Sequence, residues 1–409
     1  MNNVKIIPLS EIVTTVIDYR GKTPKKLGSA WTDKGYRALS AKNVKTRQIV
    51  NEQSIRYVDE NLYRKWMKEE IQRGDILITS EAPFGQIFYW DSEEKIVLSQ
   101  RLFAIRCKNE FYPKYIFQYM TGEKFQKELL SRATGTTVTG LRQSELLKCK
   151  LEIPKYDQQI KIASILCAFD DKIETNNQII DNLENQIQLI AREYLSEKTP
   201  ISEEVNLKDV CDFHTGYAYK GTEIKDEESK FGLITIKNFN RGGGFSIEAC
   251  KPIIPSKKVK DVQFLDIFDI VVAHTDLTQK AEILGNAEIV LAGADFQQLI
   301  ASMDLVKVVP HDNCRFSKFL IAAALKSRTF KTHCLQYANG TTVLHLNKKA
   351  LSSYIFHVPR DDNLLFDISN LIESNMQQIS VLTKQNATLV KLRDTLLPKL
   401  MSGKIIVNN

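Results

Sequence analysis

Few residue clusters in this 409-residue chain are spaced for catalysis. Methyl transfer to adenine calls for a short [N/D/S]-P-P-[Y/F] segment that stacks on and hydrogen-bonds the flipped base, and the sequence holds no Pro-Pro pair. Nucleotide hydrolysis calls for G-x-x-x-x-G-K-[S/T], whose amides cradle phosphate. Gly216 and Gly221 have that glycine spacing, but Thr222 stands where the lysine belongs. Metal nucleases need clustered carboxylates and a lysine. Glu93-Glu94-Lys95 and Glu223-Ile224-Lys225 resemble the tail of such a motif, and each also reads as a solvated turn. The six histidines lack zinc-ligand spacing, and His333 beside Cys334 is incidental to a helix. The expectation is a chain without a catalytic site, a metal site or a cofactor of its own.

Binding chemistry is better represented. Arg20, Lys22, Lys25 and Lys26 form a basic loop with Gly21 and Pro24 in its turn, suited to DNA or equally to a solvated surface. Lys42-Asn43 and Lys237-Asn238 recur at matched positions, which fits a shared backbone contact or a shared structural salt bridge. Arg241 precedes three glycines and reads as an arm able to enter a groove, or as a plain hairpin loop. Thr136, Thr137, Thr341 and Thr342 sit in a repeated G-T-T-V turn, whose hydroxyls and amides suit phosphate, or capping of the next element. The net charge of +7 favours a nucleic-acid partner only mildly over this length.

Composition narrows the setting. A hydrophobic share of 43% argues for a folded chain, and 409 residues for two or more domains. No apolar run approaches the roughly 18 residues of a membrane helix, and Met1–Leu9 lacks a secretory pattern. The seven cysteines include no C-x-x-C pair and read as reduced thiols of a cytoplasmic protein.

The elements that must position these residues occur twice. Gly135-Thr136-Thr137-Val138 matches Gly340-Thr341-Thr342-Val343 at an offset of 205, which also carries Leu141 onto Leu346, Pro154 onto Pro359 and Phe125 onto Phe330. Nearer the start, Lys42 matches Lys237 at 195 and Asp75 matches Asp269 at 194. The second half is therefore 11 residues longer between these points, an excess we place between Asp276 and Ser302 as a candidate reading element. Strand-like runs are Asp75–Thr79, Ile96–Ile105 and Lys150–Ile153, then Ile267–His274, Asp304–Val309 and Tyr354–Val358. One helix is expected before each G-T-T-V, over Pro113–Arg132 and Phe316–Gln336.

Each mixed domain is followed by a long helix. Ile162, Leu166, Phe169, Ile173, Asn176, Ile180, Leu183, Ile187 and Ile190 alternate spacings of four and three, the seam of a coiled coil. The pattern returns in Ile368, Ile372, Asn375, Ile379, Leu382, Asn386 and Leu389. Two such stripes at equivalent places are expected to pair with each other. Asn176, Asn375 and Asn386 read as devices that select one register, or as tolerated imperfections near helix ends. Pro398 should end or bend the second helix near its last turn. The fold class is α+β: two repeated α/β domains separated by two long antiparallel coiled-coil helices, with a pseudo-two-fold axis. Helices of about 40 residues span ~60 Å, enough to hold two readers on half-sites ~34–36 Å apart.

At this point four segments resemble the specificity subunits of type I restriction-modification systems. They are Asp18-Tyr19-Arg20-Gly21-Lys22-Thr23-Pro24, Arg73-Gly74-Asp75-Ile76-Leu77-Ile78, Ile153-Pro154-Lys155-Tyr156-Asp157-Gln158-Gln159 with Ile162, and Leu392 through Ile405. The resemblance covers essentially the whole chain. One departure is Asp362-Asn363-Leu364-Leu365, where the family opens its second helix with an acidic residue and Gln. The resemblance implies target-recognition domains at 1–156 and 199–361, and conserved helices at 157–198 and 362–409. It further implies that the chain binds double-stranded DNA at a bipartite, asymmetric target and docks two methyltransferase subunits and restriction subunits. S-adenosylmethionine, ATP and Mg would belong to those partners. Two other readings stay open: a specificity half with a fused or cryptic methyltransferase-nuclease activity, and a coiled-coil scaffold without DNA recognition.

Overall fold

The computed structural model describes residues 4–134, 139–199, 201–225, 229–241, 243–291, 296–347, 349–405 and 407. The chain divides into two compact units: Met1–Ile173 with Leu389–Asn409, and Glu174–Thr388.

In the first unit, an antiparallel sheet runs in the order Val13–Asp18, Leu102–Cys107, Ile76–Thr79, Ile87–Tyr89. Ile76–Thr79 is buried along its whole length, as the unbroken apolar run Ile-Leu-Ile requires. A smaller sheet pairs Tyr36–Leu39 antiparallel with Arg56–Val58 and parallel with Ile96–Leu98. The expected single strand Ile96–Ile105 is therefore two strands on two sheets. The chain turns between them at Ser99-Gln100-Arg101, where Arg101 takes φ +62°, a left-handed backbone that no continuous strand tolerates. Lys5–Pro8 closes the unit against Lys150–Ile153.

The second unit repeats this plan. Its large sheet runs Cys211–Thr215, Leu305–Pro310, Ile270–Ala273, Ala287–Ile289, and Phe231–Ile234 pairs antiparallel with Lys251–Ile253 and parallel with Gln298–Ala301. Ser202–Asn206 pairs with Ile355–Pro359. The repeat in sequence is thus a repeat of topology.

A further expectation needs correction. Each helix before G-T-T-V is a pair: Pro113–Thr121 with Glu123–Ser131, and Lys318–Leu325 with Arg328–Gln336. Gly122 breaks the first at ψ 149°, and a Cβ there would lie 2.8 Å from Leu397 Cδ2. Ser327 breaks the second by capping the Phe330 amide. The stretch from Asp276 to Ser302, the candidate reading element, is partly core. It includes the edge strand Ala287–Ile289, and Leu284, Ile289 and Val290 are buried. Ile76 and Ile270 differ by 194, Ile87 and Ala287 by 200, and Pro113 and Lys318 by 205. Six of the eleven extra residues therefore fall between adjacent strands at 274–286, and Ser99 and Ser302, 203 apart, put three more before Ser302, so most of the excess lies within the stretch expected.

The long helices are Tyr156–Tyr194 and Asp362–Met401. In the first unit, Ile162, Ala163 and Leu166 of one helix join Leu397, Leu400 and Met401 of the other in the domain core. In the second, Leu183, Ile187 and Ala191 do so with Ile372, Met376 and Ile379. Asp170 meets Arg393 in the first unit, while Asn176 meets Asn386 and Gln186 meets Asn375 in the second, so the helices pack antiparallel. Of the seam residues, Leu166, Asn176, Leu183, Ile187, Ile372, Asn375 and Ile379 are buried, and Phe169, Ile173, Ile180, Leu382, Asn386 and Leu389 are half-buried. Pro398 stands in the last turn of the second helix, which ends at Met401 before Gly403 turns the chain at φ +69°. So near the terminus the missing N–H forfeits one bond, and the buried Leu397, Leu400 and Met401 hold the final turn.

Candidate nucleic-acid interface

In the first domain, three segments meet at one edge. The amide of Ser99 donates to Leu39 O at 2.7 Å, that of Ala41 to Gln100 O at 3.1 Å, and that of Ser80 to Arg101 O at 2.8 Å. The Ser40 amide donates to the Asn43 side chain at 3.1 Å, and Asn43 Nδ2 donates to Asn51 O at 3.2 Å. Asn43 is buried by this work, which pushes Lys42 outward on the tip of the turn. A cavity of about 210 Å³ opens here between Trp31, Lys42, Asn43, Arg56 and Arg101. The Arg56 guanidinium lies 5.3 Å from the Trp31 ring centre, a cation–aromatic contact on the rim of this cavity.

The second domain builds the same edge. The Ser302 amide donates to Ile234 O at 2.8 Å and the His274 amide to Asp304 O at 2.7 Å. Thr235 N donates to the Asn238 side chain at 2.9 Å, Asn238 is buried, and Lys237 is exposed. Among the described residues, neither Lys42 nor Lys237 meets a carboxylate within ion-pair distance, so the shared lysines are not a shared salt bridge.

The other candidates are placed variously. Arg20 spends its donors internally: Nε and Nη2 hold the Asp18 carboxylate at 2.9 and 2.6 Å, and Nη1 donates to Leu141 O at 3.0 Å. Lys22 Nζ donates to Trp66 O at 2.6 Å and lies 4.2 Å from the Tyr19 ring centre. Burial, and secondarily Lys68, lowers the Lys22 pKa. Lys26 Nζ donates to Gly21 O at 2.9 Å, and Lys25 is exposed. Arg241 is exposed on a short hairpin turn in which Asn240 N donates to Gly244 O at 2.9 Å, and its Nε lies 3.7 Å from Glu282. Thr341 and Thr342 are exposed, and Gln279 donates to Thr341 O. Gly340 is required there: at φ +117° a Cβ would lie 2.1 Å from Val343 O. Thr136 and Thr137 lie outside the described residues.

Arg101, Gln100 and Arg56 were not among the sequence candidates. The signal was present, since three polar residues, Ser99-Gln100-Arg101, interrupt two apolar runs. Elsewhere the chemistry is quiet. Among the described residues no group of three His, Cys, Asp or Glu could hold a metal, and no helix is long and apolar enough to cross a membrane. Burial pushes the thiols of Cys107, Cys149, Cys211, Cys250 and Cys334 up to about 12, far from reactive.

Residues 1–185 match the family described as type I restriction modification DNA specificity domain. The chain is 23% identical over 372 residues to the specificity subunit of the type I restriction enzyme MjaIX from Methanocaldococcus jannaschii, covering 85% of this chain and 82% of that one. It is 22% identical over 408 residues to the HindI specificity subunit from Haemophilus influenzae, covering 83% and 88%. Its fold is similar to the crystal structure of the S subunit from M. genitalium, with a TM-score of 0.52 at 15% identity over 98% of this chain and 96% of that one. With a duplicated domain joined by paired long helices, the chain is similar along most of its length to the specificity subunits of type I restriction-modification systems, and its first 185 residues match their DNA specificity domain.

Proposed function

We propose that each domain reads one half of a bipartite, asymmetric sequence in double-stranded DNA, while the helix pair sets the spacing and docks two methyltransferase subunits and the restriction subunits. The chain is the non-catalytic DNA-specificity member of its complex. One observation carries the bipartite reading: the same edge, with an exposed lysine on an asparagine-locked turn, is built once in each domain. A lysine so placed contributes phosphate affinity and register, and two domains of one plan supply two such contacts. S-adenosylmethionine, ATP and Mg fall to the partner subunits in this reading. Methylation sites mapped in cells carrying the complete system test it. Two short half-sites at a fixed spacer are expected, and a single continuous motif would overturn it.

A further inference from the structure

The two edges share two backbone anchors and differ in what they display. Ser99 and Ser302 make the same bond to the small sheet, and the carbonyls of Arg101 and Asp304 accept from the equivalent amides of Ser80 and His274. Positions 100 and 101 therefore coincide with 303 and 304. The first corner carries Gln100-Arg101 and the second carries Met303-Asp304. Two anchoring bonds stay while the side chain changes from a cation to an anion; the corners also differ in backbone, since Gln100 O accepts from Ala41 N whereas the Met303 amide donates to Tyr217 O, and of Arg101 and Asp304 it is Arg101 that takes a positive φ. A residue that reads sequence has reason to change its charge in this way.

The Arg101 side chain is also presented rather than packed. It is 53% exposed, and its φ of +62° turns the corner out between two cavities, one beside Glu81 and Lys22, the other beside Lys42 and Arg56. Its one ion-pair partner among the described residues is Glu81, 3.3 Å away and itself 36% exposed. An ion pair in such solvent adds little stability, but it aims the guanidinium. Lys42 and Arg56 on the same rim are placed to neutralise phosphates around whatever Arg101 touches.

We propose that Arg101 reads a guanine in the half-site of the first domain, donating its two-pronged guanidinium to O6 and N7 in the major groove. A planar fork of donors matches those two acceptors, and no other base offers the pair. This rests on the reading that each domain takes one half-site.

The test uses the complete methyltransferase complex with Arg101→Asn, a residue type that accepts φ above zero, and maps every methylated adenine. One guanine position in one half-site should become degenerate, with methylation of sequences carrying other bases there rising about tenfold or more. The other half-site should stay the same. Asp304→Asn should alter only that other half-site. Unchanged base preference would overturn the proposal, as would a uniform fall across all sequences, which marks a phosphate contact. A parent complex whose motif is not bipartite defeats the underlying reading instead. Should Arg101→Asn fail to assemble, Glu81→Gln releases the guanidinium without touching it. Altered discrimination at that guanine then supports the proposal, and none counts against it.

Discussion

The side-chain amide of Asn176 donates to the side-chain oxygen of Asn386 at 2.8 Å, across the seam between the two long helices. It also donates to Gln385, and Asn386 donates on to Asn177 at 2.8 Å. Asn375 is tied to Gln186 at 3.2 Å. The seam asparagines therefore have partners, and a slipped register would bury them unpaired. Asn176 Oδ1 is nonetheless buried without a partner. Asn176→Leu should cost about 1–2 kcal/mol by stranding Asn386, and adding Asn386→Leu should recover most of it. Urea midpoints for the parent, both single variants and the double variant measure this coupling. Additive losses would mean that the pair does not act as one.

A second polar node seats the first domain on its helix ends. Arg47, at φ +71° on a hairpin of the small-sheet region, donates to Asp170, to Gln118 at 2.8 Å and to Thr121 at 2.7 Å. Arg393 holds the other Asp170 oxygen at 2.8 Å. Burial, only partly offset by Asp170, lowers the Arg47 pKa to about 10, so it stays charged at neutral pH. Arg47→Ala should cost about 3 kcal/mol in urea unfolding. Arg47→Lys should recover little, because a point charge cannot span three acceptors. Full recovery by lysine would show that charge alone matters.

The loop after Ile270–Ala273 depends on one carboxylate. Burial would push Asp276 up, but the amides of Ile283 at 2.7 Å, Thr278 at 2.8 Å and Leu284 at 3.3 Å, with the Thr278 hydroxyl, hold it below its ordinary 3.8. A depressed folded pKa contributes stability that is full above the unfolded value and lost as pH falls through the folded one. Asp276→Asn should therefore be destabilised relative to the parent at pH 7, with the gap closing below pH 3.8. Urea midpoints taken from pH 7 downward would show a constant gap if the amides do not depend on the charge.

The exposed lysines make a prediction about salt. Lys42→Gln and Lys237→Gln should each weaken DNA binding by the assembled complex without altering its preferred sequence. Each should reduce the slope of log affinity against log salt by about one. A changed motif would make them base readers.

Much of this was legible because it repeats. The four-and-three spacing of Ile162, Leu166, Phe169 and Ile173 exposed the helices, and Lys42-Asn43 with Lys237-Asn238 marked the shared edge. The breaks at Gly122 and Ser327 were hidden because apolar spacing continues through both, and tertiary packing and a cap decide them. Arg20 was hidden differently. A basic loop looks the same whether its cation faces a phosphate or, as here, an aspartate two residues back. Arg101 was passed over because a strand pattern flanks it on both sides, and its left-handed backbone belongs to the corner, not to its residue type.

The last prediction concerns the helices as a ruler. The division between the units falls between Ile173 and Glu174 in one helix and between Thr388 and Leu389 in the other. Asp170 faces Arg393 on one side of these points, and Asn176 faces Asn386 on the other. Four residues inserted after Ile173 and four after Thr388 therefore enter the pair at one level and leave both domains untouched. Each helix lengthens by ~6 Å. A base pair rises ~3.4 Å, a tenth of a duplex turn, so the spacer in the methylated motif should grow by about two base pairs with both half-sites unchanged. The inserts also rotate the seam by ~40°, which costs stability. Seven-residue inserts keep the heptad, lengthen each helix by ~10.5 Å and should add about three base pairs. Altered half-site bases at an unchanged spacer, in either variant, would show that the spacing is set elsewhere.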